Sequence, residues 1–225
     1  MCIRDRAHTD QLPDKIINPP GYNSYWNSGE RRGYSGVATY SREKPLRVSY
    51  ELGEKRFDIE GRVIATEYPN FMLFNVYFPN GKMNDERLQY KLSFYERFLE
   101  VINSLRKQGK SIIFCGDVNT AHKAIDLARP KANEQISGFL PIERAWMDKV
   151  VEQGYIDTFR YFHQNEPEHY TWWSIRAQGA RERNVGWRLD YFFISEDLLD
   201  SVTETFILKE VLGSDHCPVG LKLKF

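Results

Sequence analysis

Apolar residues recur at helical spacing along residues 85–108: Leu88, Leu92, Tyr95, Phe98, Leu99, Ile102 and Leu105 would share one side of a helix, and Gly109 supplies its stop. Residues 142–154 predict a second helix. The strand signals are shorter. Residues 34–40, 62–67, 71–77, 111–115, 189–194 and 219–225 carry strand-length apolar runs, the last with weak alternation. Residues 71–77 are nearly continuous in apolar side chains, which predicts a strand buried on both faces, and Pro79-Asn80-Gly81 closes it with turn chemistry. Residues 7–33, rich in Pro, Asn, Gly and Tyr, read as an ordered loop region. Helices and strands mix without strict alternation, and several strands follow one another directly. That order predicts packed sheets with helices outside, an α/β sandwich. No repeat, low-complexity tract or linker divides the sequence.

Composition narrows the picture. The 225 residues, 41% hydrophobic and 14% aromatic, can build one sizeable core. Lys plus Arg and Asp plus Glu are both 31, so the net charge is zero and the whole molecule attracts no polyanion. A nucleic-acid site would have to be a local basic patch. The three cysteines, Cys2, Cys115 and Cys217, are odd in number and unpatterned, which argues against a disulfide framework and for a reducing compartment. The best apolar run, residues 71–78, is strand-sized rather than membrane-sized. Met1-Cys2-Ile3-Arg4-Asp5-Arg6 lacks the apolar centre of a signal peptide and does not read as the start of a folded domain.

Five segments offer chemistry. In Gly116-Asp117-Val118-Asn119 a buried strand delivers a carboxylate and a carboxamide two residues apart, on one side if the chain stays extended. Such a pair suits a hard cation or a phosphate-bound water, and it also suits an ordinary turn. In Gly213-Ser214-Asp215-His216 the adjacent Asp and His point different ways, so each needs its own partner. One could ligate metal while the imidazole acts on phosphate or water; a capped turn is the plainer reading. Asp190 sits at the start of an apolar strand and must be paired, with His216 or with a nearby Arg. Tyr77 and Asn80 flank the end of a buried strand and could hold a phosphate, although a lone Tyr there is more often a core aromatic. Finally, Trp172, Trp173 and Trp187 interleave with Arg176, Arg181, Arg183 and Arg188, a pattern suited to stacking and phosphate contact. A hydrophobic strand followed by a solvated basic loop would look the same.

These segments, with Gly33-Tyr34-Ser35-Gly36-Val37, Glu60-Gly61-Arg62-Val63-Ile64 and Asn184-Val185-Gly186-Trp187-Arg188-Leu189-Asp190-Tyr191, occur in an order and spacing that resembles the exonuclease III/AP-endonuclease family of the endonuclease–exonuclease–phosphatase superfamily. The resemblance covers residues 7–225. It implies a four-layer α/β sandwich, two packed and mainly antiparallel sheets flanked by helices, and Mg²⁺-dependent (or Mn²⁺-dependent) hydrolysis of the DNA backbone 5′ to abasic sites, with 3′-to-5′ exonuclease activity. It further implies that Asp117 prepares the attacking water and Asn119 helps hold it. Asp190 orients His216 at the scissile phosphate, Asp215 stands on the metal side with Asp117 and Asn119, and Tyr77 and Asn80 touch the phosphate. Trp172, Trp187 and Leu189 resemble the pocket for a sugar lacking its base, while Tyr34, Arg62 and Arg176 resemble DNA contacts. The partner implied is double-stranded DNA with abasic or 3′-end damage; a monomer is the default expectation, acting in the bacterial-type cytoplasm, near the nucleoid and away from membranes.

The family pattern also contains a first strand bearing Asn, a helix, and a second strand ending in Gln-Glu, whose Glu is the principal metal ligand. No counterpart is found in this sequence. The expectation is therefore an incomplete domain over residues 7–225 behind an unrelated leader of residues 1–6, with weak Mg²⁺ binding. Two other functions fit the same residues: a superfamily phosphodiesterase acting on lipid or small phosphates, and a DNA-binding fragment without catalysis.

Overall fold

The structure, a computed structural model, describes residues 2–4 and 9–225. Residues 1 and 5–8, which hold half of the expected leader, lie outside the described residues. The chain forms two compact units, one of Met1–Phe78 with Glu96–Asp117, the other of Pro79–Tyr95 with Val118–Phe225.

The first unit contains β1 (Cys2–Arg4), α1 (Asp14–Ile17), β2 (Asn23–Ser28), β3 (Gly36–Ser41), β4 (Arg47–Ser49), α2 (Lys55–Asp58), β5 (Val63–Glu67) and β6 (Met72–Val76). It also takes the C-terminal half of α3 (Asp85–Lys107) and all of β7 (Ile112–Asp117). One sheet has the antiparallel order β1-β3-β2. In a second, β4, β5 and β6 pair antiparallel and β7 joins β6 in parallel. The two sheets meet through buried Val37, Ile64 and Tyr77. Asn75, a polar residue in an apolar strand, is satisfied there by donating from Nδ2 to the Ala38 carbonyl at 2.9 Å. On the other side Phe98 of α3 meets the rings of Phe74, Phe78 and Phe114 edge-on at 5.1–5.8 Å.

The second unit contains α4 (Pro130–Asn133), α5 (Pro141–Glu152), β8 (Tyr155–Asp157), α6 (Thr158–Phe162), β9 (Asp190–Ser195), β10 (Val202–Ile207) and β11 (Val219–Leu223). β8 pairs with β9 and β10 with β11, both antiparallel. α5 stacks Trp146 on Tyr95 of α3, with centroids 3.9 Å apart. α6 is capped by the Asp157 carboxylate and tied to β9 by Thr158 Oγ1, which donates to the Phe192 carbonyl.

The mixed α/β architecture of sheets flanked by helices is as the sequence predicts. Four strands fall inside or beside segments that gave no strand signal: β1, β4, β8 and β10, of which β1 lies within the expected leader yet pairs antiparallel with β3. The region read as loop over residues 7–33 also contains β2, paired along its whole length with β3. The strand at residues 71–77 is fully buried only from Phe74 onward; Met72 and Leu73 are half-buried.

Candidate active site

In the second unit, three distant stretches form a small ladder. The backbone N–H groups of Thr171 and Trp172 donate to the Trp187 carbonyl and that of Trp187 donates back to Trp172, all at 2.9 Å. On the other side Trp173 N–H donates to Asp215 O at 3.0 Å and Cys217 N–H to Thr171 O at 2.8 Å. Trp172 thus lies between Trp187 and His216. Gly186 makes the approach possible: a Cβ there would fall 2.6 Å from Trp173 Nε1.

This ladder sets Asp190 against His216. The Asp190 carboxylate Oδ2 lies 2.7 Å from His216 Nδ1, so of the two partners open to Asp190 the imidazole takes the place. The same oxygen accepts from Thr171 Oγ1 at 2.7 Å. Thr171, fully buried, accepts in turn from the N–H groups of Leu189 and Asp190, so its hydroxyl orientation is fixed. The Arg that could have competed, Arg188, is occupied elsewhere: fully buried, it donates from Nε to Asp126 and through a two-pronged pair to Asp157. Asp215 points to a different partner from its neighbour, accepting from Trp172 Nε1 at 3.0 Å. Burial pushes the Cys217 thiol up to about 12, so no thiolate stands beside His216 at neutral pH.

The wall next to this pair is apolar. Leu189 packs with Ala121, Leu127 and Phe139, and the half-buried rings of Trp172 and Trp187 lie against that cluster. Arg176 is exposed. Asn119 has a left-handed backbone, φ +55°, so the extended geometry that would put Asp117 and Asn119 on one side ends with β7 at Asp117. Its Oδ1 accepts from Asn80 Nδ2 at 2.9 Å. Its carbonyl accepts from Lys91, a fully buried ammonium whose three protons are used on Asn119 O, Thr120 Oγ1 and Glu143 Oε1.

In the first unit, Gly116 delivers Asp117. Its φ is +129°, and a Cβ would fall 2.1 Å from the Val76 carbonyl, so only glycine fits. Asp117 is buried, and its carbonyl accepts from the Phe78 N–H, which places Tyr77 and Phe78 beside the end of β7. Arg62, expected at the DNA backbone, is 3% exposed. Its guanidinium pairs with Glu60, donates to the Tyr77 carbonyl at 2.9 Å and lies 4.6 Å from the Tyr77 ring centroid, so it holds Tyr77 in place. Tyr34, half-buried, flanks the same guanidinium at 5.7 Å.

Sequence reasoning missed the residues that hold these groups: Thr171, Lys91, Glu143, Asp126 and Asp157. It named Arg181 only as part of a basic stretch. Arg181 lies 4.6 Å over Trp173 and donates to the carbonyls of Ser214, Lys209 and Val211 at 2.7–2.9 Å, closing the loop that leads into Asp215 and His216. Exposed hydrogen bonds of this kind contribute about 0.5 kcal/mol each. Arg181→Met is expected to quicken amide exchange at Val211 by roughly tenfold; unchanged exchange would mean that other contacts hold the loop.

Among the described residues no three His, Cys, Asp or Glu side chains are grouped to hold a metal ion. A protein-only cage for a tightly bound ion is thus not seen among them. Mg²⁺ makes a smaller demand, one or two carboxylates completed by water and substrate phosphate, and the hard oxygens of Asp117 and Asp215 suit that role in kind.

A family model described as the Endonuclease/Exonuclease/phosphatase family matches residues 3–216. The chain is 42% identical to an exodeoxyribonuclease of Bacillus subtilis, over 98% of this chain and 86% of that protein. It is 38% identical to the DNA repair nuclease APEX1 of Danio rerio, over 99% of this chain and 72% of that protein. Among solved structures, an AP endonuclease from Archaeoglobus fulgidus superposes with a TM-score of 0.89 at 27% identity, covering 100% of this chain and 88% of that one.

Proposed function

Because the chain belongs to the endonuclease/exonuclease/phosphatase family, we propose that it hydrolyses the DNA backbone at abasic sites, removes nucleotides 3′ to 5′ from DNA ends, and uses Mg²⁺. The observation that carries this reading is the Asp190–His216 pair, 2.7 Å apart and locked by Thr171 beside the Trp172–Trp187–Leu189 wall. Hydrolysis joins the water oxygen to phosphorus, breaks the bond to the departing sugar oxygen and delivers a proton there. With its Nδ1 proton donated to Asp190, the His216 ring is held in one tautomer and orientation, leaving Nε2 to act on the phosphate. The apolar wall accepts a sugar that carries no base and excludes water around it. Asp117 is assigned to the attacking water, and Asn119, Asn80 and Tyr77 to holding water and phosphate. When bound, Mg²⁺ supplies charge neutralisation at the phosphoryl oxygens, with Asp117 and Asp215 as the carboxylates offered to it. The assigned place of action is the cytoplasm, on double-stranded DNA.

The test is a labelled duplex carrying one abasic-site analogue, incubated with the chain in Mg²⁺ or in EDTA. Incision at the lesion in Mg²⁺, none in EDTA and none by Asp117→Ala is the expected result. A folded chain that binds the duplex without cutting it at any Mg²⁺ concentration would instead be a binding protein. Hydrolysis of phosphoinositide or sphingomyelin in place of DNA would assign it to lipid phosphates.

A further inference from the structure

Lys91 and Tyr95, one turn apart on α3, both hold the backbone around Asn119 from inside the protein. The fully buried Lys91 ammonium donates to the Asn119 carbonyl and to Thr120 Oγ1, each at 2.8 Å, and to Glu143 Oε1 at 2.6 Å. The Tyr95 hydroxyl donates to the Val118 carbonyl at 3.1 Å and lies 2.7 Å from Thr120 Oγ1. Glu143, also fully buried, ties down the facing segment. It accepts from Ser137 Oγ at 2.8 Å and from the N–H groups of Gly138 at 2.6 Å and Leu140 at 3.1 Å. The Ala121 N–H donates to the Gly138 carbonyl at 2.8 Å, so the ion pair spans two segments whose backbones are themselves joined. A buried ion pair stabilises a fold little more than apolar side chains of the same size, because both charges lose their water. What it can supply is geometry. Here that geometry is the left-handed backbone of Asn119, φ +55°, which a residue other than glycine adopts at a cost.

We propose that Lys91 is a positioning residue for the hydrolysis: paired with Glu143, it clamps the Asn119 backbone from behind and so aims the carboxamide that meets the phosphate. The inference rests on the abasic-site reading above. The sense of that carboxamide follows from its neighbours. A backbone N–H only donates, so Asn80 turns its oxygen to the Lys82 N–H and its NH₂ to Asn119, which answers with its own oxygen. The NH₂ end of Asn119 is therefore the end that meets a phosphoryl oxygen. Asn80 sets the sense of the amide, and Lys91 sets where its backbone stands.

The test replaces both partners, so that no charge is stranded. Lys91→Met/Glu143→Gln nearly keeps the volumes and leaves an oxygen for the Gly138 and Leu140 N–H groups. On the abasic-analogue duplex in Mg²⁺ it should lose roughly 10²-fold in kcat with KM little changed, while the unfolding midpoint stays near that of the unaltered chain. A second comparison isolates positioning from structural support. Asn119→Gly removes the carboxamide and accepts the left-handed backbone without strain. In that background, read in single turnover, the double replacement should cost nothing further, because the group it aims is gone. An equal further loss there would show that Lys91 acts independently of Asn119 and overturn the proposal. Full kcat in the double variant would overturn it as well. If the double variant does not fold, Tyr95→Phe, which deletes one hydroxyl, carries the same comparison. A loss that vanishes in the Asn119→Gly background is expected; an equal loss in both backgrounds, or none in either, overturns the proposal. An unaltered chain that leaves the abasic duplex uncut overturns the functional reading itself, and the proposal with it.

Discussion

Arg188→Met is expected to lower the free energy of unfolding by about 3 kcal/mol at neutral pH, read as a fall in the denaturant midpoint without a change of slope. Arg188 is fully buried and neutralises two carboxylates, Asp126 and Asp157, themselves 0% and 7% exposed. Removing the cation leaves Asp157 without its two-pronged partner, while Asp126 keeps Arg160 at 2.8 Å. Breaking one partner of a buried pair strands the other charge, which is why the loss exceeds the net worth of the pair.

The effect depends on pH in a defined direction. Burial by itself would raise the Asp126 carboxyl; the charges and hydrogen bonds of Arg188 and Arg160, with the Lys123 N–H, outweigh it and hold the group down at about 2, against an ordinary 3.8. A depressed carboxylate contributes stability that is present above its unfolded value and disappears as pH falls through its folded value. The Asp126 contribution, about 2 kcal/mol, is therefore intact above pH ~4 and lost between there and pH ~2. In Arg188→Met that carboxyl should titrate higher. The gap between the two proteins should be widest near neutrality and narrow on acidification. A gap of constant size from pH 7 to pH 3 would mean that Arg188 stabilises by packing alone.

These same residues show what a sequence does and does not make readable. The long helix was legible almost to the residue, because its seven named apolar positions repeat with helical period, and β5, β6, β7 and β9 were legible because they are short, apolar and bounded by turn residues. β2 was not: Asn23, Ser24, Asn27 and Ser28 surround Tyr25 and Trp26, every side chain is half-buried, and only the pairing with β3 makes the segment a strand. β4 and β8, three residues each, are too short to show a period. At the candidate site, Asp190 announced that it needed a partner because a carboxylate at the start of an apolar strand cannot stay unpaired. Which partner it has depends on Asp126 and Asp157, 62 and 31 residues from Arg188, having already engaged that arginine. Lys91 offered a fainter signal. It lies three residues after Leu88 and four before Tyr95, on the apolar side of α3 where a solvated lysine has no place. Thr171 offered none, since a lone threonine between aromatics has no pattern to betray a buried hydroxyl. For Arg62 the motif gave residue identity and left burial open; the Glu60 carboxylate and the Tyr77 carbonyl draw its guanidinium inward.

Asp190→Asn is expected to reduce turnover on an abasic duplex by roughly 10²- to 10⁴-fold, with KM little changed. The substitution keeps the size of the side chain and removes its charge. An asparagine oxygen can still accept from Thr171, but the amide no longer stabilises a protonated imidazole, and with its NH₂ turned toward His216 it would select the wrong tautomer. The fold should be nearly unaffected, because Asp190 is only partly buried and its neighbours are satisfied by Thr171 in either case. Thr171→Val supplies the contrast. It preserves the branched shape and removes the bond that aims Asp190, together with the acceptor for two backbone N–H groups, so it should lose both stability and turnover, the latter by a smaller factor than Asp190→Asn. If Asp190→Asn kept full turnover while Thr171→Val lost it, the carboxylate charge would be irrelevant and the ladder would serve only to place His216. A loss confined to kcat in Asp190→Asn, with the unfolding midpoint unchanged, would fix the electrostatic role on the 2.7 Å bond between carboxylate and imidazole.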